Sequence, residues 1–406
     1  MKTVNITNLV PTVIVLIVLI VIGVIIKGSG TSPAIVIGKE PMNDLPLSRI
    51  GSIVITKNSD QSKDTLTLKR ADEQWVVVNR NGYPADPDRI EKFIREFKDM
   101  KVLRELTAGK NQLGRVGLLD PDDASVNSAT RVTLLKSNGD MIRTLHLGKE
   151  LSGPGSENQT SQQGFGGFPD RRFVMIDNKR SEIVVVDQTF SNASPSPSDW
   201  LNKDFLKVDK PNSIEVIYPG DESTNSWKIT KSSDVAEWEL FGNVPEGKVL
   251  DTGSTPTSPL SSPSFNDLAT EAEKSQLDKN ATQIKIGTFD GLNYHVKIGQ
   301  TASGNDRIIQ VKTTATFPKS RISGENEKAE DKANLDKEWK EKQEELKEKL
   351  RKEAAFNKNV YRVSSYTVES ILKKKSDLLK DNEKAEPSSS NEPPVPFIKP
   401  PQTTEE

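Results

Sequence analysis

Residues Val10 to Ile26 read VPTVIVLIVLIVIGVII, and no charged side chain falls between Lys2 and Lys27. At about 1.5 Å per residue, a helix over this stretch reaches roughly 25 Å, close to the hydrocarbon thickness of a bilayer. Its wealth of valine and isoleucine would suit a buried strand, but strands rarely exceed about ten residues. Length therefore predicts a transmembrane helix over residues 9–27, a cytoplasmic N-terminus over residues 1–8, and a chain whose bulk is extracytoplasmic. A cleaved signal peptide would have a shorter apolar region and an A-x-A site. The exit sequence Lys27-Gly-Ser-Gly-Thr-Ser-Pro33 lacks that pattern, although Gly28, Ser29 and Gly30 are small, and retention is the expectation. Lys2 favours this orientation, Lys27 opposes it, and long domains translocate whatever a few charges dictate.

The remainder bounds the function by what it lacks. In 406 residues, 56 lysines and arginines nearly balance 58 aspartates and glutamates, so no whole-chain field draws it to nucleic acid. There is no cysteine, which removes disulfides, thiolate metal sites, a cysteine nucleophile and a lipidated anchor. The length allows about two domains.

After a linker over residues 28–46, a first module is expected over residues 47–207. Ile53 and Ile55, Leu66 and Leu68, and Trp75 to Val78 mark three strands separated by polar turns. Asp86 before Pro87 reads as a helix start, the aspartate capping free N–H groups and the proline filling the first helical position. Ile90, Phe93, Ile94, Phe97 and Met100 then form one apolar stripe. Val132 to Leu135 and Ile142 to Leu147 flank Asn138-Gly139, a hairpin signal, and Arg172 to Ile176 and Ile183 to Val186 make another pair.

The order then repeats over residues 208–382. Ser213-Ile214 parallels Ser52-Ile53, Trp238-Glu-Leu-Phe parallels Trp75-Val-Val-Val, and Phe265, Leu268, Ala269 and Ala272 share the helical spacing of the first copy. Thr282 to Ile286 and Tyr294 to Gly299 match Thr130 to Leu134 and Leu145 to Gly148. The fold class expected is α+β: two tandem related modules, each an antiparallel sheet with a packed helix, behind the transmembrane helix. Residues 318–359 replace a short turn of the first copy with a long charged helix. Asp336/Lys340, Glu338/Lys342, Glu345/Lys349 and Glu348/Lys352 are acid-first i,i+4 pairs. Leu335, Trp339, Leu346 and Leu350 form one narrow apolar seam, read either as a coiled-coil surface for a protein partner or as the face that lies on its own domain. Residues 383–406 are Pro-rich and expected to be disordered.

No constellation specifies a chemistry. His146 and His295 stand at matching strand positions before a glycine, flanked by aliphatic residues and without ligand-spaced partners, so both are read as structural. Gly164-Phe165-Gly166-Gly167 is neither a P-loop nor a dinucleotide fingerprint. Asp86, Asp88 and Asp120 are read as cap or turn residues. G-x-S-x-G and H-E-x-x-H are absent from the sequence. No catalytic residue, metal site or cofactor is expected.

Trp75-Val-Val-Val, Tyr83-Pro-Ala-Asp86 leading into a helix, Gly117-Leu-x-x-Pro121, Leu147-Gly148 and the Trp200 to Leu206 segment resemble the bacterial domain-of-unknown-function family 4340. The resemblance is good over residues 50–206, weaker in the second copy, and absent from the charged helix and the tail. It implies a protein of the bacterial inner membrane found beside components of gliding-motility-type ABC transport systems. The function expected is a single-pass scaffold or accessory protein that binds envelope proteins. A wall- or glycan-binding tether and an unrecognised envelope hydrolase are the alternatives. A tether predicts an exposed aromatic strip, and a scaffold predicts an apolar patch on a module or on the helix seam.

Overall fold

The computed structural model describes residues 37–152, 170–277, 279–300, 304–321 and 327–382. They form two compact units, divided between Asn202 and Lys203.

The first unit holds β1 (Ser52–Asn58), β2 (Lys63–Ala71), β3 (Gln74–Val77), β4 (Tyr83–Pro84), α1 (Pro87–Asp99), β5 (Val102–Leu106), β6 (Thr130–Leu135), β7 (Met141–Leu151), β8 (Arg171–Ile176) and β9 (Ile183–Val186). Its sheet runs β4-β3-β2-β1-β6-β7-β8-β9-β5, antiparallel throughout. Ile53 faces Leu68 on one side and Leu134 on the other, and Val132 faces Leu145; all five are fully buried. Helix α1 begins where the sequence signals it. The Asp86 carboxylate accepts from the Asp88 and Arg89 amides at 3.0 and 3.1 Å, Pro87 takes the first position, and Ile90, Phe93, Ile94 and Phe97 are buried. Phe93 stacks edge-on against Phe97 and Trp200, with centroids 4.8 and 5.1 Å apart.

The second unit holds β10 (Pro211–Ile217), β11 (Trp227–Thr230), β12 (Glu239–Leu240), β13 (Lys248–Leu250), β14 (Asp267–Leu268), α2 (Glu271–Leu277), β15 (Thr282–Thr288), β16 (Leu292–Gln300), β17 (Asp306–Ala315), α3 (Ala329–Ala354), β18 (Val360–Ser364), α4 (Ser365–Glu369) and β19 (Leu379–Asp381). Its main sheet runs β12-β11-β10-β15-β16-β17-β18-β14. Strand for strand this is the first sheet's order without β4, with β14 in the place of β5.

The correspondence corrects the expected fold class. The described residues are mostly antiparallel sheet with few helices, and the second unit has no counterpart of α1. Residues 252–264 occupy that place in the order, and Pro256, Pro259 and Pro263 remove helix hydrogen bonds and clash with the preceding turn. Leu268 is buried from a short strand and Ala272 is exposed, so their helical spacing with Phe265 and Ala269 is not a helix face. The membrane expectation is corrected as well. No helix among the described residues is long and apolar enough to cross a membrane, and the single-pass, inner-membrane architecture is set aside. The stretch 9–27 on which it rested lies outside the described residues, as do Gly164 to Gly167 and the tail over residues 383–406.

Each sheet has a second, half-covered face. In the first unit the segment around Leu113 to Leu118 covers one end of it, where Leu118, Ala129, Phe173, Met175, Ile183 and Val185 form a cluster. In the second, α2 does the same with Leu277 over Ala269, Ile308 and Val360. Both coverings need a glycine beneath them. A Cβ at Gly148 would collide with the Val116 carbonyl oxygen and touch Leu118, and one at Gly299 would meet Leu277 and Ile308 at 2.9 and 3.0 Å.

Gly148→Ala and Gly299→Ala are therefore expected to destabilise their units by about 1–3 kcal/mol. Gly148→Ala should be the worse, because it meets backbone rather than the ends of flexible side chains. Denaturant unfolding of each variant checks this, and a neutral Gly148→Ala would refute the packing argument.

Candidate functional site

The uncovered ends of those second faces carry the clusters of polar side chains with chemical interest. In the first unit, Arg131 on β6 lies opposite His146 on β7. The loop that follows Leu118 brings Asp120 over both. Arg131 Nη1 donates to Asp120 Oδ1 at 2.8 Å and to Asp122 Oδ2 at 2.6 Å, and Lys63 reaches Asp122 at 2.6 Å. The Asp122 amide donates to Asp120 Oδ1 at 2.9 Å, so Asp120 is a turn residue as expected. It is also the partner of His146, whose Nε2 lies 3.0 Å from Asp120 Oδ2. The loop is tied to β1 by Asn58, which donates to the Pro121 carbonyl at 2.8 Å.

Electrostatics fixes the protonation of this network. Burial alone would raise the Asp120 carboxyl, but hydrogen bonds from the Asp122 amide and His146, and the Arg131 charge, bring it below its ordinary value. Asp122 is held down to about 2 by hydrogen bonds from Arg131 and Lys63. His146, 1 % exposed, is pushed below its ordinary value by burial, against the opposing pull of Asp120. The imidazole is therefore neutral near pH 7, and the network assigns its proton to Nε2, facing the carboxylate. Nδ1 is left buried and without a hydrogen-bond partner. A histidine–aspartate pair can serve as a base, but here the free nitrogen is sealed from solvent and no nucleophile donates to it. The pair acts as a clamp between loop and sheet. A hollow of about 520 Å³ opens beside it, lined by Arg131, Thr133, Thr144, His146 and Asp177 among others.

The second unit places different chemistry on the same surface. Val216 pairs with Ile284 and Ile284 with Val296, as Ile55 pairs with Val132 and Val132 with Leu145. This register puts Gln283 in the place of Arg131 and Lys297 in the place of His146, so the two histidines are not equivalent. His295 corresponds to Thr144, two residues earlier, because Gly299 and Gly148 align and the histidines stand at different distances from them. Lys285, His295 and Lys312 form one cross-strand row, and Gln283, Lys297 and Gln310 the next. Burial, then Lys285, Lys297 and Lys312, depress His295 below its ordinary value. A hollow of about 400 Å³ lies here, lined by His295, Lys297, Gln310, Val311, Lys312 and Asn357.

The helix seam is only partly a seam. Leu335 is 38 % exposed and Leu346 is 5 % exposed, with Trp339 and Leu350 half-buried. The C-terminal half of α3 is held by Glu353, which accepts from the Lys207 amide at 3.0 Å and the Tyr294 hydroxyl at 2.8 Å. Lys349, expected to pair with Glu345, instead reaches Asp209 at 2.7 Å and the Lys207 carbonyl at 2.8 Å. Spacing on the helix could not reveal this, because the competing acceptors come from β10's approach rather than from the helix. Asp120 was likewise legible only as a turn, since its partners lie 11 and 26 residues away. No group of three His, Asp or Glu side chains among the described residues could hold a metal ion.

The depressed His146 sets a pH dependence. A group whose folded pKa lies below its unfolded value stabilises the fold above the unfolded value and loses that contribution on acidification. Stability of the first unit should fall as pH drops below about 6.5, by about 1.4 kcal/mol for each unit of depression, before Asp120 titrates. In His146→Gln this slope should flatten. Hydrogen exchange of the β7 amides as a function of pH reads it unit by unit, and an unchanged slope would overturn the assignment.

No curated protein and no solved structure matches the chain. Residues 75–159, which run from β3 through the Asp120–His146 clamp, match the family described as Domain of unknown function (DUF4340), so this stretch of the first unit is similar to that family.

Proposed function

We propose that this chain is a binding scaffold, an accessory protein that docks protein partners through the β12 edge of its second unit. The observation that carries the reading is a set of exposed apolar side chains gathered there. Val235 is 95 % exposed and Phe241 67 % exposed, with Val244 and Phe289 also exposed and Trp238 half-buried. Among the described residues β12 pairs only with β11, which leaves its outer edge available to an added strand. Exposed apolar groups flanking an open edge strand favour docking of a protein partner.

The aromatic content also bears on a glycan tether. Lys231 Nζ lies 5.4 Å from the Trp238 ring centroid and 5.5 Å from that of Phe289, and Lys228 Nζ lies 5.2 Å from that of Phe241. An ammonium already occupies one face of each ring. This leaves a poorer flat platform for a sugar than for a protein side chain, and protein docking is the better-supported reading. The partner class implied by the family resemblance is the subunits of an ABC-type transport system.

A photo-crosslinking residue at Phe241 is expected to capture such subunits in cells, whereas one at Met141, exposed in the first unit, should not. Trp238→Ser with Phe241→Ser should weaken capture by about 10-fold or more, as loss of central aromatic anchors does. Equal capture from both positions, or capture of glycan alone, would overturn the proposal.

A further inference from the structure

We propose that the groove along helix α1 of the first unit is a binding site for a proline-rich segment of this same chain, Pro393 to Pro401, seated as a polyproline II helix. This is a different surface from the β12 edge, and the proposal does not depend on the docking role of that edge.

The groove encloses about 410 Å³. Ile90 and Ile94, both buried on α1, form its floor, and it is also lined by Trp75 of β3, half-buried, and by Leu47, 40 % exposed. The lining runs from Pro87, the first residue of α1, to Asp99, the last, so the groove is about 18 Å long. Its rim charges balance, Glu91 and Asp99 against Arg95 and Lys98, which gives no preference for a charged ligand. An apolar slot with a balanced rim suits an apolar peptide.

Trp75 adds a polar demand to this apolar slot. Trp200 and Trp227 donate their indole N–H groups to the carbonyls of Ser194 and Lys373, at 2.9 and 2.6 Å, as tryptophans in folded cores usually do. The Trp75 indole N–H has no such partner among the described residues. Polyproline II makes no hydrogen bonds within itself. Each of its carbonyls is therefore free to accept one, and aromatic-lined grooves are the sites that take such segments.

The chain carries a segment of matching chemistry. Beyond Asn382, the last described residue, it continues through Pro393-Pro-Val-Pro-Phe-Ile-Lys-Pro-Pro401. Polyproline II repeats every three residues and rises about 3.1 Å per residue, so about six residues match the length of the groove. Its three edges then carry Pro394, Phe397 and Pro400; Val395, Ile398 and Pro401; and Pro393, Pro396 and Lys399. Two adjacent edges are wholly apolar and suit the floor, and the lone lysine falls on the third. The fixed φ of the prolines lowers the entropy lost on seating the segment.

The test uses the full chain and reads hydrogen exchange of the Trp75 indole N–H, its resonance assigned through Trp75→Phe. In the full chain carrying Phe397→Ser with Ile398→Ser, which interrupts both apolar edges, this exchange should quicken by about 10-fold or more. A peptide of residues 390–404 added to that variant should restore protection saturably. Leu47→Ser should weaken the rescue by about 5-fold, as loss of a leucine contact does, while Met141→Ser, also exposed in the first unit, should leave it unchanged. Equal exchange in the full chain and the double variant, no saturable rescue, or equal rescue by a peptide of the same composition with its three-residue spacing scrambled would overturn the proposal.

Discussion

A leucine resting on bare backbone is the contact on which both sheets depend. Leu118 sits over Gly148 and Leu277 over Gly299, and each brings down the segment that closes one end of the sheet's second face. A two-faced sheet of eight or nine strands cannot leave both faces wet and still bury enough apolar area to offset the entropy of ordering the chain. The glycine is what lets the covering segment approach. The clusters around Phe173 and Met175, and around Ile308 and Val360, are built under that cover.

Covering only one end is what creates the functional surface. Beyond Leu118 the chain of the first unit continues across the face and plants Asp120 between Arg131 and His146. The buried charges are then paired, and the neutral imidazole with its sealed Nδ1 is a tolerable loss within a satisfied network. In the second unit α2 ends at Leu277 and Thr282 opens β15 soon afterwards, a far shorter connection than the one that carries Asp120. Two copies of one topology thus differ in electrostatics because a single connection differs in length.

The connection between the last two central strands shows the same economy of change. In the first unit β8 turns into β9 through Asp177 and Asn178, both with positive φ, conformations that aspartate and asparagine tolerate. In the second, the 26 residues of α3 stand in that place without altering the strand order. The helix is secured at its C-terminal end by Glu353, buried and doubly hydrogen-bonded, whose carboxyl is raised by burial. In its N-terminal half Leu335 is exposed, and Asp336 accepts a hydrogen bond from Arg321 at 2.8 Å.

By itself the sequence determined the central strands of both copies, the capped helix at Asp86-Pro87 and the Asn-Gly hairpin, because these rest on alternation, capping and turn chemistry within a few residues of each other. It misjudged the second copy's helix, where apolar spacing suggested a face and three prolines forbade one. It also misaligned the two histidines, because strand register is a property of pairing rather than of order. Only the tertiary structure decided that Asp120 meets His146, that Lys349 leaves Glu345 for Asp209, and that Lys285, His295 and Lys312 share a row. Those contacts join residues far apart in the chain, and their energies depend on burial and on a dielectric that no local pattern records.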